Sequence, residues 1–563
     1  MPGEKQTKVL AFRQGADFYF SRYERLLARE DYVDALSALR TAHEKAPDNL
    51  EYTMELAELY TEMDFYEESN CLLLGIFSKE PGYQEECLYG MGCNFFGLQD
   101  PAKARECFAK ILEYYPDGSY AADAGDFLDY LDEEAEDDDL PPEVMERADR
   151  GRYLIDHGQA GEAADIFEDL AEKYPEELFL KNNLALACYC EGQTDRAIEL
   201  SRQVLQKDRY SPHALCNLVL FALGTGRRAE VEEYRPMLAK ADCREADDDI
   251  KVALTYCELG EEEAAYPLFG RALEELPYDY SVLYFRAACA NNLHKPREAM
   301  DTLRTIQKLW PHDTVAPYYL REIARAEQVG ESLHMLYNCQ VPDAEIEQWL
   351  QYLNAKFALP AEELRQCWRE DARFEDLLRW SAQAGGDDAK QTVVRVLRRI
   401  ADAKAEEMLR RWLLRRDESD DVKNWVLYGL HEMGAEQPYL AYLSGKVTEV
   451  RMGRSTVAPD KVPDAYDQIL RELLDLLEKW EKKTLLPRAV ELFAAYLQTH
   501  TRPPMLRNTG AWAGALAAIA MQEQTGSDAV AEAAARLQVA PGAIRRRVAL
   551  IHKRLIGGKD HAE

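Results

Sequence analysis

The chain has 563 residues, a formal net charge of −34, 47% apolar residues and 30% charged residues. That length allows two to four domains, and that charge argues against general nucleic-acid or anionic-membrane binding by the whole molecule. No apolar run reaches membrane-spanning length, and the polar stretch from Met1 to Lys8 carries no signal-peptide pattern, so the chain reads as cytoplasmic with no membrane partner.

Residues 1–15 read as a flexible tail. The block 16–116 reads as three helical pairs. Ala35, Leu39, Ala42 and Pro47 return 34 residues later as Ser69, Leu73, Ile76 and Pro81. A third unit carries Leu88, Gly92, Phe95, Ala104, Phe108, Ile111 and Pro116. The phase then breaks. The insert 117–142 holds a candidate helix from Tyr120 to Leu131, the acidic run Asp132 to Asp139, and Pro141-Pro142. It reads as a solvated acidic linker, without the ligand spacing of a calcium loop.

From Glu143 the phase resumes and runs to residue 328. Ala163, Ala197, Val231, Ala265 and Ala299 stand 34 residues apart. Phe167, Phe269 and Leu303 follow four residues after their small residue, and Leu170, Val204, Leu238, Ala272 and Ile306 follow seven after. Pro175, Pro277 and Pro311 close units. A small residue lets two helices cross closely, the residues at four and seven share one helical face, and the proline ends the second helix. Such a pair cannot bury its apolar face alone, but a stack can.

This pattern resembles the tetratricopeptide repeat (TPR) family, with repeats 1–3 in 16–116 and repeats 4–8, followed by a capping helix from Thr314 to Gln328, in 143–328. The aromatic usual early in the first helix is mostly replaced, by Arg147, Lys181 and Asp249. The small residue that packs the first helix is kept as Gly151, Ala185, Ala253 and Ala287. The resemblance implies an α-solenoid whose first helices line a groove for an extended peptide or a partner helix. Asn183, Asn217 and Lys251 occupy one position in three successive repeats and would form a ladder on that groove. A carboxamide donates and accepts, so the ladder could grip a peptide backbone. Ordinary hydrogen bonding between repeats is the more general use of such residues. In chaperone-binding members of the family, asparagines and cations clamp a C-terminal carboxylate. Here Asp247 stands where a second cation would help.

Residues 329–460 keep helical patterning without the 34-residue phase. Amphipathic runs cover Glu345 to Phe357, Ala361 to Ala372 and Ala389 to Arg416. Asp420-Asp421-Val422-Lys423, with Gly434 closing the helix, is similar to a HEAT repeat. Arg398-Arg399, Arg410-Arg411 and Arg415-Arg416 make a basic island, either solvated and paired with nearby acids or docked on the acidic N-terminal half. The region 461–556 begins with a helix pair opened by Pro463, and 557–563 reads as a tail. Thr509 to Ile519 is a small-residue helix that must be tightly buried. Ser527 and Asp528 follow it, and Val530 to Arg547 is similar to a helix-turn-helix and, with the helix before it, to the cyclin-like repeat of transcription factor B proteins. The departure is Gln538, where the turn usually has glycine. Arg545, Arg546 and Arg547 would then contact nucleic acid, or serve a docking surface.

The 12 cysteines lie between Cys71 and Cys367 without a CxxC pair, and read as small core residues in a reducing compartment. On a helix the side chains of Cys188 and Cys190 point apart. No GxxxxGK[ST], HExxH, GxSxG or strand-borne GxGxxG occurs, and no histidine pair has metal-ligand spacing. The expectation is an all-α, non-enzymatic scaffold or adaptor without cofactor or metal, whose groove binds a protein or peptide. The alternatives are a DNA-binding regulator with a TPR sensor array, and an assembly subunit with no separate ligand.

Overall fold

Apolar residues at a period near 3.6, broken by short polar turns, fold here as a run of amphipathic helices. The computed structural model describes residues 14–137, 140–443, 446–451, 464–480, 482, 485–498, 504, 506–525 and 529–556. Most of the expected N-terminal tail, Asp138, Asp139, Pro463, Ser527, Asp528 and the tail 557–563 lie outside the described residues. The chain divides into two compact units, 1–435 with 440–448, and 436–439 with 449–563.

The first unit begins with three helix pairs. They are α1 (Ala16–Leu27) with α2 (Tyr32–Lys45), α3 (Leu50–Glu62) with α4 (Tyr66–Lys79), and α5 (Gln84–Gly97) with α6 (Pro101–Tyr114). A single helix, α7 (Ala121–Asp137), follows. Five more pairs come next: α8 (Pro142–Asp156) with α9 (Ala160–Lys173), α10 (Leu178–Cys190) with α11 (Thr194–Lys207), α12 (Pro212–Gly224) with α13 (Arg228–Leu238), α14 (Ala246–Glu258) with α15 (Glu262–Glu275), and α16 (Tyr280–Asn292) with α17 (Pro296–Leu309). A capping helix, α18 (Val315–Val329), ends the array.

The packing follows the residue types. A Cβ on Gly92 would stand 2.6 Å from the Phe108 ring, and one on Gly151 would stand 2.6 Å from the Phe167 ring. These are the close approaches of first to second helix that the small residue permits. Ala163, Ala197, Ala265 and Ala299 are fully buried. At two of the positions where the early aromatic is missing, Arg147 and Asp249, charge bridges the two helices instead. Arg147 pairs with Asp169 at 2.8 Å, and Asp249 pairs with Arg271 with the signs exchanged. The turn inside each pair carries one left-handed residue, at Glu30, Asp64, Gln99, Gly158, Gly192, Gly226, Gly260 and His294.

The insert 117–142, expected as a linker, contains α7. Tyr120, Ala124, Phe127 and Leu131 recur at helical spacing, and Phe127 stacks on Phe108 with ring centroids 4.9 Å apart. Ala124 and Leu131 belong to the core of the second and third pairs, whereas Val144 begins a separate core that runs from α8 to α16. The phase break therefore coincides with a break between two cores. Acidic residues from Asp132 onward do not end the helix, because its apolar face is already anchored.

The first pairs also touch distant parts of the same unit. Arg40 donates to the carbonyl oxygens of Lys308 and Leu309 at 3.1 and 2.7 Å. Asp34 pairs with Lys308, and Phe65 meets Trp310 edge-on at 5.5 Å. Six further helices follow the array: α19 (Asp343–Phe357), α20 (Ala361–Glu370), α21 (Ala372–Ala384), α22 (Asp387–Ile400), α23 (Ala403–Leu414) and α24 (Asp420–Met433). The basic island takes both expected forms. Arg398 pairs with Glu432, Arg410 with Glu406 and Arg411 with Glu407, while Arg416 reaches Asp100 of the first block at 2.8 Å.

One part of this region is not helical. Strands β1 (Tyr439–Leu443) and β2 (Lys446–Val450) form a two-stranded sheet. Their sequences, YLAYL and KVTEV, are rich in aromatic and β-branched residues, which suit an extended backbone better than a helix.

The second unit contains α25 (Asp464–Lys479), α26 (Leu486–Gln498), α27 (Thr509–Thr525), α28 (Val530–Arg536) and α29 (Pro541–Ile556). Gly510 to Ala520 of α27 are buried without interruption. Between α28 and α29, Gln538 adopts φ +52°, the left-handed turn conformation that glycine usually supplies.

Candidate peptide-binding face

The face built by the first helices of the second array already holds one extended segment, and it belongs to the chain itself. Gly330, left-handed at φ +71°, ends α18 and turns the chain back. Residues 331–336 then run without helix or turn, and the chain bends at 337–339, where Cys339 is left-handed at φ +54°. Leu333, Met335, Tyr337, Cys339 and Val341 point inward, while His334, Leu336, Asn338 and Gln340 are exposed. Up to the bend this is the period-two alternation of a strand lying on a surface. Val341 stays extended because Pro342 follows it.

The grip is mostly on backbone. Asn292 Nδ2 donates to the Met335 carbonyl at 3.0 Å, and the Met335 N–H donates to Asn292 Oδ1 at 2.9 Å. Asn291 Nδ2 donates to the Leu333 carbonyl at 2.6 Å. Tyr284 donates to the Leu336 carbonyl at 3.0 Å, and Tyr319 donates to the Gln340 carbonyl at 2.8 Å. Burial pushes both phenols above their ordinary range, so they stay protonated as donors. Two side chains anchor the segment. Met335 is fully buried, and Tyr337 stacks against Phe269 with its hydroxyl accepting from Asn292 at 3.2 Å.

The row proposed from spacing lies on other first helices, α10, α12 and α14, further up the array. Lys251 stands one 34-residue repeat before Phe285, which shares α16 with Asn291 and Asn292. Asn183 is half-buried and donates to the Phe179 carbonyl of its own helix at 3.0 Å. Asn217 is buried, and its amide crosses to the Asn182 carbonyl on α10 at 3.2 Å. Lys251 is half-buried and, among the described residues, has no ion pair. Together with burial it lowers the basicity of His213, whose Nε2 lies 3.6 Å from Asp248.

Sequence reasoning missed Asn182. It stands three 34-residue repeats before Tyr284, the residue that holds Leu336. Its Oδ1 is buried and, among the described residues, has no hydrogen-bond partner. Leaving such an acceptor unpaired costs on the order of 1–3 kcal/mol. The sequence signal was the doublet Asn182-Asn183. Asn291 and Asn292 form a second such doublet on α16.

In the second unit, Arg545 and Arg546 are exposed on α29, and Arg547 is half-buried. Arg547 donates to the carbonyls of Ala543 and Arg507 at 3.3 and 3.4 Å and lies 5.9 Å from the Trp512 ring. Cys188 is buried and Cys190 exposed, as their helical spacing requires. No described helix is long and apolar enough to cross a membrane.

Two family models match the chain. The tetratricopeptide repeat model covers residues 86–118, and the coatomer epsilon subunit model covers residues 155–242. Among curated proteins, the chain is similar to the TPR repeat-containing protein YvcD of Bacillus subtilis (strain 168). They are 26% identical over 341 residues, which is 59% of this chain and 70% of that protein. It is also similar to coatomer subunit epsilon-2 of Arabidopsis thaliana, 41% identical over 66 residues, or 12% of this chain and 22% of that one. Among solved structures, it resembles a thermophilic TPR protein of Thermus thermophilus. That match has 16% identity and a TM-score of 0.27, over 32% of this chain and 99% of the other. It also resembles yeast Tom70, with 13% identity and a TM-score of 0.26, over 74% of this chain and 95% of the other. Neither superposition bears on function.

Proposed function

We propose that this chain, a tetratricopeptide repeat protein, is a non-enzymatic cytoplasmic scaffold that captures an extended segment of a partner protein. The segment lies on the first helices α10, α12 and α14. The observation that carries the reading is the clamp of Asn292 on Met335, in which one carboxamide holds both backbone groups of an extended residue. The same array offers carboxamides at Asn182, Asn183 and Asn217 and a cation at Lys251 on the helices before it. Once its side chain turns outward, Asn182 Oδ1, enclosed in the free chain, would accept a backbone N–H from the incoming segment. Met335 and Tyr337 indicate what the partner must supply: extended backbone with alternate large apolar side chains.

Random peptides displayed on phage and selected on the full chain test this. Affinities are then measured against Asn182→Leu, Asn183→Ala and Lys251→Ala. Asn182→Leu removes a buried unpaired acceptor while keeping volume, so it leaves stability equal or higher and weakens the selected peptides about tenfold, the weight of one buried hydrogen bond. Peptides that bind all three variants as tightly as the parent chain would overturn the reading.

A further inference from the structure

The first helices of the N-terminal block present a different surface. A cleft of about 380 Å³ opens between α1 and α3. Phe20, Tyr23, Leu27 and Ala28 form its apolar lining, and Glu24, Glu51 and Glu55 stand at its rim. Phe20 stacks on Tyr52 with centroids 4.6 Å apart, and Tyr23 donates to Glu55 Oε2 at 2.7 Å, so the wall is fixed. Glu51, Glu55, Glu58 and Glu62 continue along one face of α3, over about 16 Å at 1.5 Å per residue.

Among the described residues, these carboxylates lack counter-charges: none of Glu24, Glu51, Glu55, Glu58 and Glu62 forms an ion pair. Nearby cations are turned elsewhere. Arg25 donates to the Ser21 carbonyl, and Lys45 lies over the Tyr19 ring. Like charges at this spacing oppose the helix that carries them, and a cationic ligand would relieve them. Although Glu58 opens to solvent, partial burial and then Glu55, Glu62 and Glu86 push its carboxyl above the usual range.

We propose that this cleft docks a Lys- or Arg-rich segment of a partner protein carrying one large apolar side chain. The apolar side chain enters between Phe20, Tyr23 and Leu27. The cations follow the glutamate row on α3, a length that about five extended residues match. Aromatic rings beside carboxylates suit a cation both by charge and by its approach to a ring face. This surface lies on repeats 1 and 2, away from the helices that carry Asn183, Asn217 and Lys251, so each can fail without the other.

The test uses a labelled peptide of four lysines and one tryptophan, with the full chain, by fluorescence anisotropy. Glu58→Lys/Glu62→Lys should weaken binding about tenfold, and so should replacing the tryptophan by alanine. Glu58→Gln/Glu62→Gln gives the same loss in smaller measure and guards against misfolding of the reversed variant. Glu263→Lys/Glu274→Lys on α15 changes net charge equally and should leave affinity unchanged. Equal weakening by both reversals, or indifference to the tryptophan, would reduce the binding to general attraction by an acidic chain and overturn the proposal. Self-association of the chain that disappears in Glu58→Lys/Glu62→Lys would give the cleft to a second copy and overturn it as well.

Discussion

Asn292 and Met335 hold each other through both backbone groups of the methionine, as neighbouring strands of a sheet would. A helix has no free backbone groups to pair with a strand, so the side-chain amide substitutes for them. Replacing Asn292 by Ala leaves the Met335 N–H and carbonyl unpaired at a fully buried residue. The cost is about 1–3 kcal/mol. Hydrogen exchange should show faster exchange across residues 333–337, with α10 and α12 unchanged. Unaltered protection at Met335 would mean that the segment is held by its side chains alone.

Two glycine substitutions should act in opposite directions. Gly151→Ala puts a Cβ 2.6 Å from the Phe167 ring at the crossing of α8 and α9. Overpacking of this kind costs about 1–3 kcal/mol. Gly125→Ala on α7 meets nothing within 4 Å. It should stabilise by about 0.5–1 kcal/mol, because alanine favours the helix. Urea midpoints of the two variants should move to opposite sides of the parent. Movement in the same direction would contradict the packing described for this face.

The turn inside each repeat gives a second sign test. His294 carries φ +59° at the point where Gly226 and Gly260 carry φ +71° and +72°. His294→Gly should stabilise and Gly226→Ala should destabilise, each by about 1 kcal/mol. Thermal midpoints measure both.

Glu375 links stability to acid. Burial would raise its pKa, but Lys404 and Arg379 outweigh that and hold it below the ordinary value of 4.5. A depressed carboxyl stabilises the fold above its unfolded pKa, and this contribution is lost as pH falls through the folded pKa. Glu375→Gln should therefore be less stable than the parent at pH 7, with the difference shrinking as pH drops below about 4.5. A difference constant down to pH 3 would show that the loss is one of shape rather than charge.

The array was readable because its constraints repeat. A helix crossing that admits only a small residue returns every 34 residues, as Ala163, Ala197, Ala265 and Ala299 show. Features present once were harder to see. The candidate helix from Tyr120 to Leu131 was legible from its apolar face, but the acidic residues after Leu131 hid its continuation to Asp137. The hairpin Tyr439–Val450 lies between helical runs and is too short for its alternation to stand out. Residues 331–341 alternate inward and outward, but exposed Leu336 spoils the polar half of the pattern. The row Asn183, Asn217 and Lys251 was found by spacing. Spacing cannot tell an amide facing a ligand from one that crosses to the next helix, as Asn217 does.

In the proposed binding mode, the first helices of repeats 5 to 7 take an extended peptide as α16 takes residues 333–337. Hydrogen exchange on the full chain, with and without a saturating selected peptide, measures it most directly. Bound peptide should add protection on α10, α12 and α14, at residues 178–190, 212–224 and 246–258. Protection confined to the second helices α11, α13 and α15, or none in repeats 5 to 7, would contradict it.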